Sequence, residues 1–309
     1  MRPTVAVLPS VQAEYLRAIA LGGGVAADLN EQTTGLVWTD SQDTQQLTRI
    51  LSEHPQIHWV QLPFAGVDNF KALFDSIKGA GRSVVFTSAK GAYREPVAEH
   101  ALMLALALGR ALPERLAAKS WGGKFAASLY DSKVLIVGGG GIAEELLRLL
   151  APFRVEATVA RRSDTPLRGA SRVVTLSELD EHLPHADFVF IASALTSETN
   201  KLFDSARFSR MKPSGYLVNI ARGAIVDSEA LETALAAGQI AGAGIDVTDP
   251  EPLPDGHPLW NTPNLIITPH TADTPEQCVR LLSDRIVLNV QALIQATPLV
   301  GEVNLELGY

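Results

Sequence analysis

The 309-residue sequence predicts an α/β protein in which a doubly wound parallel sheet is joined to a second, smaller α/β domain. Three observations carry that prediction. From Lys133 onward, short apolar runs recur at 133–137, 155–160, 172–175, 187–192, 216–220, 243–247 and 265–268. Segments of helical spacing separate most of them, as parallel strands require, because each must return through a crossover. The first of these strands runs directly into Gly138-Gly139-Gly140-Gly141, and a helical pattern follows at once. The chain is also too long for one small core and suits two domains.

Taken in order, the first part of the chain shows apolar runs at Val5–Leu8, Leu36–Trp38, Ile57–Leu62 and Val84–Thr87, alternating with longer helical segments. These form the smaller domain. From Pro96 to Arg110 the chain is rich in alanine and leucine and apolar nearly all round, so it reads as a buried helix, between domains or at a subunit contact. After the strand series, Leu281, Leu282, Ile286, Val290 and Leu293 keep helical spacing. That tail is predicted to return to the first domain. The expected division is residues 1–95 plus 281–309 for a substrate domain and 96–280 for a dinucleotide-binding domain.

The glycine-rich turn explains the second of these names. Gly138, Gly140 and Ala143 form G-x-G-x-x-A between strand and helix, with Leu146, Leu147 and Leu150 on one helical face. Gly138 permits the tight turn, and Gly140 lets the backbone approach a pyrophosphate on the helix N-terminus. Ala143 is small enough for close packing of helix on strand, and Gly141 and Ile142 complete the turn. The next strand should end where NAD-binding chains place a carboxylate against the ribose 2′-hydroxyl. Here that place holds Arg161, then Arg162 and Ser163. Two guanidiniums bind a 2′-phosphate that a carboxylate would repel, so NADP(H) is expected, with NAD(H) as the alternative. Glu156 on the same strand, and the ordinary reading of two solvated arginines, keep that alternative open.

Three polar residues each follow a predicted strand end: Arg222 in V-N-I-A-R-G, Glu251 in D-V-T-D-P-E-P-L-P, and His270 in I-I-T-P-H. Open α/β sheets bind ligands at the carboxyl ends of their strands. An arginine grips a carboxylate, a histidine passes a proton near neutral pH, and a glutamate steadies the imidazole. The trio is equipment for interconverting 2-oxo and 2-hydroxy acids. His100, on the buried helix after Glu99, reads instead as a satisfied structural histidine.

Composition narrows the classes. A net charge of −8 leaves no basic footprint for nucleic acid. The longest apolar stretch, Ala101 to Leu108, falls far short of the roughly 20 residues of a membrane span, and no signal-peptide segment follows Met1-Arg2-Pro3. The cytoplasm is therefore the expected location. The single cysteine, Cys278, excludes an intramolecular disulfide. No His/carboxylate spacing calls for a metal.

The motifs together resemble the D-isomer-specific 2-hydroxyacid dehydrogenase family. The resemblance rests on F-A-G-V-D-N at 64–69, E-P-V-A-E-H-A at 95–101, V-L-I-V-G-G-G-G-I-A at 134–143 and L-T-S-E-T at 195–199. It continues through M-K-P-S-G-Y-L-V-N-I-A-R-G at 211–223, G-I-D-V-T-D-P-E-P-L-P at 244–254 and I-T-P-H at 267–270. It implies two Rossmann-like domains, the smaller one flavodoxin-like, in a homodimer joined through the nucleotide domain. By resemblance Arg222 binds the substrate carboxylate, His270 exchanges the proton and Glu251 pairs with it. Ala65 and Gly66 offer backbone N–H groups to the same carboxylate, with Gly91 close by. Asp246 bonds the nicotinamide amide, Ala221 and His270 lie beside the ring, and Ser193 and Ala194 join the cofactor contacts. The substrate implied is a small 2-oxo or D-2-hydroxy acid, with glyoxylate or hydroxypyruvate favoured by the arginines after the second strand. The alternatives are an NAD-dependent dehydrogenase of a bulkier D-2-hydroxy acid and a cofactor-sensing scaffold like the corepressors of the same fold. Ala143, Arg161 and Asp273 depart from the common family pattern.

Overall fold

The structure, a computed structural model, describes residues 2–306. The chain forms two compact units, Met1–Tyr93 with Thr274–Tyr309, and Arg94–Asp273.

The first unit is built on β1 (Thr4–Leu8), α1 (Ala13–Leu21), β2 (Val25–Ala26), β3 (Gly35–Trp38), α2 (Thr44–Glu53), β4 (Trp59–Gln61), α3 (Lys71–Gly79) and β5 (Val85–Thr87). Its five strands are all parallel in the order β2-β1-β3-β4-β5, the flavodoxin-like arrangement. The core joins Leu36 and Trp38 to Phe70, Phe74 and Phe86, with the Phe74 and Phe86 rings edge to face at 5.1 Å. β2 was not foreseen, because a two-residue strand leaves no alternation to read.

The second unit opens with α4 (Arg94–Gly109) and α5 (Leu112–Ala117), then β6 (Lys133–Val137), α6 (Gly141–Leu150), β7 (Glu156–Arg161), β8 (Arg172–Thr175), α7 (Leu179–His182) and β9 (Phe188–Ile191). It continues through α8 (Ser205–Phe208), β10 (Tyr216–Asn219), α9 (Ser228–Ala236), β11 (Gly242–Ile245) and β12 (Leu265–Ile267). The seven parallel strands lie in the order β12-β11-β10-β9-β6-β7-β8. Because side chains alternate along a strand, Leu135, Val137, Val189 and Ile191 face one core layer while Val134, Ile136, Phe188 and Phe190 face the other. α4 packs within this second layer on α6 and β10, which accounts for its apolar composition. Strand order reverses between β6 and β9, so the crevice at their carboxyl ends is the natural ligand position.

The chain then returns to the first unit as α10 (Pro275–Gln295), packed on α1. It begins before the apolar periodicity read from Leu281. Thr274 and Gln277 form a capping box and Pro275 fills the first helical position, neither of which carries hydrophobic signal. Among the described residues no helix is long and apolar enough to cross a membrane.

Candidate active site

The trio lies in the second unit, on the loops after β10, β11 and β12. The loop after β10 is shaped by Asn219: its side-chain amide donates to Arg222 O at 2.9 Å and accepts from Ala221 N–H at 3.1 Å. Arg222 folds back to donate to Ala221 O at 2.7 Å. Gly223 then meets the backbone of the β11 loop so closely that a Cβ would land on the Thr248 carbonyl. Only glycine allows this approach, and the approach brings the Arg222 and Glu251 loops together.

Glu251 is held at both oxygens. Thr248 N–H donates to Oε2 at 3.3 Å, and His270 Nδ1 lies 2.6 Å from Oε1. The pair is about half exposed. The hydrogen bond to Glu251 raises the His270 pKa above the usual histidine value against the opposing effect of burial. The same bond holds Glu251 below the usual carboxylate range.

His270 itself sits at φ +52°, a left-handed backbone that costs energy in any residue but glycine. Asp246 fixes it there. The Asp246 carbonyl accepts His270 N–H at 2.8 Å. Its carboxylate accepts Thr271 N–H at 2.9 Å and Ala272 N–H at 3.1 Å. Thr268 Oγ donates to the same carboxylate at 2.5 Å, and His100 Nε2 lies 2.8 Å from that hydroxyl. Since the hydroxyl proton goes to Asp246, His100 carries its proton on Nε2. Burial pulls the Asp246 pKa upward, but the bonds from His100, Thr268 and Thr271 outweigh it and leave the group below its ordinary value. Asp246, read as a cofactor contact, is thus also the clamp of the histidine loop. Its Oδ2 carries a single donor among the described residues and keeps capacity for another. His100 is satisfied, as expected, but by the site's own network. Sequence reasoning missed Thr268, Asn219 and Gly223, whose roles arise from loop geometry rather than residue chemistry.

The glycine turn lies at the carboxyl ends of β6 and β9. Gly138 adopts φ +112°, and a Cβ there would strike the Ala192 carbonyl, so turn and β9 loop are in backbone contact. Gly140 faces open space, α6 begins at Gly141, Ala143 is fully buried and Ile142 partly so. Ser193, beside this contact, has a buried hydroxyl with no hydrogen-bond partner among the described residues, and Ala194 next to it is exposed. Arg161 is the last residue of β7 rather than the first beyond it, and its side chain lies over the turn, Cδ 2.7 Å from where a Gly139 Cβ would be. Arg162 is exposed beside it. An open turn, a helix N-terminus, an orphaned hydroxyl and a guanidinium over the glycines fit the pyrophosphate of a dinucleotide.

Ala65, Gly66 and Gly91 lie in the first unit, beyond the ends of adjacent strands β4 and β5. Ala89 N–H donates to Phe64 O at 3.0 Å and ties their loops together. A separate cavity of about 440 Å³, lined by Lys133, Glu156 and Arg172, lies at the amino ends of β6, β7 and β8, where such sheets do not bind ligands. No group of metal-binding side chains occurs among the described residues.

Comparison with known proteins identifies the family of the chain. Residues 101–272 match the family described as D-isomer specific 2-hydroxyacid dehydrogenase, NAD binding domain. A glyoxylate reductase/hydroxypyruvate reductase of Mus musculus is 33% identical over 249 residues, covering 78% of this chain and 75% of the mouse protein. A Glyoxylate/hydroxypyruvate reductase B of Escherichia fergusonii is 30% identical, with 80% and 78% covered. In fold, the chain matches over its whole length the crystal structure of a D-isomer specific 2-hydroxyacid dehydrogenase from Xanthobacter autotrophicus, with TM-score 0.84 at 23% identity and all of that chain covered. The chain therefore belongs to the D-isomer specific 2-hydroxyacid dehydrogenases, a family of NAD(P)-dependent oxidoreductases.

Proposed function

We propose that this enzyme reduces a small 2-oxo acid, glyoxylate or hydroxypyruvate, to the D-2-hydroxy acid, and prefers NADP(H). The observation that carries the reading is the Glu251–His270 pair, closed at 2.6 Å between the loops after β11 and β12, the former packed on the loop bearing Arg222. The reductase names of relatives about one-third identical support the substrate class.

When bound, the nicotinamide cofactor supplies or accepts the hydride. The chain's own residues do the rest. Arg222 takes the substrate carboxylate in a two-point grip that fixes the direction of the carbonyl. His270, with Nδ1 bonded to Glu251, presents Nε2 to the carbonyl oxygen and delivers the proton that the forming alkoxide requires. In oxidation the same nitrogen takes the proton back. The Glu251 carboxylate steadies the imidazolium and keeps the ring from turning. Gly138, Gly140, Gly141 and Ile142 would line the pyrophosphate site, with Ser193, Ala194, Ala221, Asp246 and His270 along the rest of the cofactor. Arg161 and Arg162 would meet a 2′-phosphate. Ala65, Gly66 and Gly91 offer their amides to the substrate carboxylate.

The test is oxidation of NADPH and NADH, followed by absorbance, with glyoxylate, hydroxypyruvate, pyruvate and phenylpyruvate offered in parallel. Turnover of the two small acids with NADPH is expected. Preference for phenylpyruvate with NADH would replace this reading by a dehydrogenase of bulkier acids, and binding of cofactor without turnover of any acid would defeat it.

A further inference from the structure

The first unit contains a buried cation with no counter-charge among the described residues. Arg285, on α10, is only 6% exposed, and among the described residues it has no carboxylate within ion-pair distance. Its guanidinium donates instead to three main-chain carbonyls: Ser88 O at 2.9 Å, Lys90 O at 2.8 Å and Val300 O at 3.2 Å. Burying a charge against neutral acceptors is costly, and replacing such a group by an apolar side chain of similar volume is often neutral or stabilising. Packing alone is therefore a weak reason for an arginine here.

Two of the carbonyls it holds, those of Ser88 and Lys90, belong to the loop after β5 that carries Gly91. A trans peptide sets its N–H antiparallel to its C=O. With the Lys90 carbonyl drawn to Arg285, the Gly91 N–H is turned away from the buried guanidinium, and Gly91 accommodates this at φ +78°. Ala89 N–H in turn holds the Phe64 carbonyl at 3.0 Å, so the Ala65 N–H faces away from that contact. Neither amide donates a hydrogen bond to another described residue. One turn further along α10, Asn289 anchors the same region: it donates to Gln61 Oε1 and to Val300 O, both at 3.0 Å, and accepts Val300 N–H at 2.7 Å. A hydrogen bond from a cation polarises the peptide it holds, which strengthens the outward N–H as a donor.

We infer that Arg285 is a positioning residue: it orients and electrically supports the main-chain N–H groups of Gly91 and, through Ala89, of Ala65 as a receptor for the carboxylate of the substrate. The inference rests on the proposed 2-oxo acid reaction and goes beyond it, since Arg285 supports the anion from behind the loop and touches neither substrate nor cofactor.

The experiment compares Arg285→Met and Arg285→Lys with the wild-type enzyme on glyoxylate and on its uncharged ester, ethyl glyoxylate. Arg285→Met should raise KM for glyoxylate on the order of tenfold, with kcat and NADPH affinity nearly unchanged. KM for the ester should stay at the wild-type value. Arg285→Lys keeps the charge but loses the fork, so its KM for the acid should lie between the two. Equal losses on acid and ester, or an unchanged KM for the acid, would overturn the inference. Should Arg285→Met fail to fold, Arg285→Lys decides alone by the same contrast between acid and ester. If the wild-type enzyme reduces none of the acids, the functional reading falls by itself. Calorimetric titration with oxalate then tests Arg285 separately: binding weaker by about tenfold in the variant supports it, and equal or absent binding refutes it.

Discussion

The pH behaviour of the reaction follows from one hydrogen bond. Glu251 raises the His270 pKa, so the imidazolium, the proposed proton donor in reduction, persists to higher pH than an isolated histidine would allow. Reduction is full below that raised pKa and is lost as pH rises through it. Glu251→Gln removes the anion, the histidine pKa falls, and the alkaline limb of the kcat/KM profile should move to lower pH. A limb that stays in place would mean that the pair does not govern the proton. His270→Ala should lower turnover by a factor on the order of 10² to 10⁴ while NADPH still binds. Fluorescence titration with the cofactor separates that outcome from simple unfolding. Arg161 and Arg162 supply the third test at this scale. Replacing both with glutamine should weaken NADPH by roughly tenfold or more and NADH little, as expected for a lost 2′-phosphate contact. Equal weakening of the two cofactors would assign Arg161 to holding the glycine turn, over which it already lies.

Among the elements, the loops after β10 and β11 depend on a contact that no side chain makes. Gly223→Ala puts a Cβ onto the Thr248 carbonyl, and backbone cannot yield as a flexible side chain can. The substitution should cost roughly 2–4 kcal/mol by chemical denaturation. Activity should fall further than stability accounts for, because the Glu251 loop has to move. A stable, fully active variant would show that the loops tolerate separation. This contact also marks the limit of what the sequence discloses. Strands 133–137 and 172–175 are legible to the residue, because apolar runs bounded by polar turns leave few alternatives. Arg222, Glu251 and His270 are legible because their chemistry is distinctive and each follows such a run. Arg285 and Asn289 are not, since two polar residues on the buried face of an apolar helix look like interruptions until the carbonyls they satisfy are seen. His100 and Thr268 lie 168 residues apart, so their link exists only in the fold.

For the whole molecule, charge and apolar surface pull in different directions. A net charge of −8 repels anionic substrate and cofactor alike, so the local cations proposed to receive them, Arg161 and Arg222, and the supporting Arg285 would act against the field of the entire chain. The second unit meanwhile carries a stretch that its own core does not absorb. Between Leu112 and Tyr130 the exposed side chains include Leu116 at 75%, Trp121 at 98% and Phe125 at 45%. Arg115 covers one face of Phe125 at 3.8 Å, and Trp121 stands fully open. Exposed apolar side chains concentrated in one segment are candidates for a contact surface, and a homodimer through the nucleotide-binding unit would cover them with its copy. Sedimentation velocity should then give a species of twice the 33.1 kDa chain at micromolar concentration. Trp121→Ser with Phe125→Ser should shift it to the monomer. Because neither residue belongs to the trio or the glycine turn, cofactor binding should survive that shift. A wild-type monomer, or a dimer indifferent to both substitutions, would place the subunit contact elsewhere or remove it.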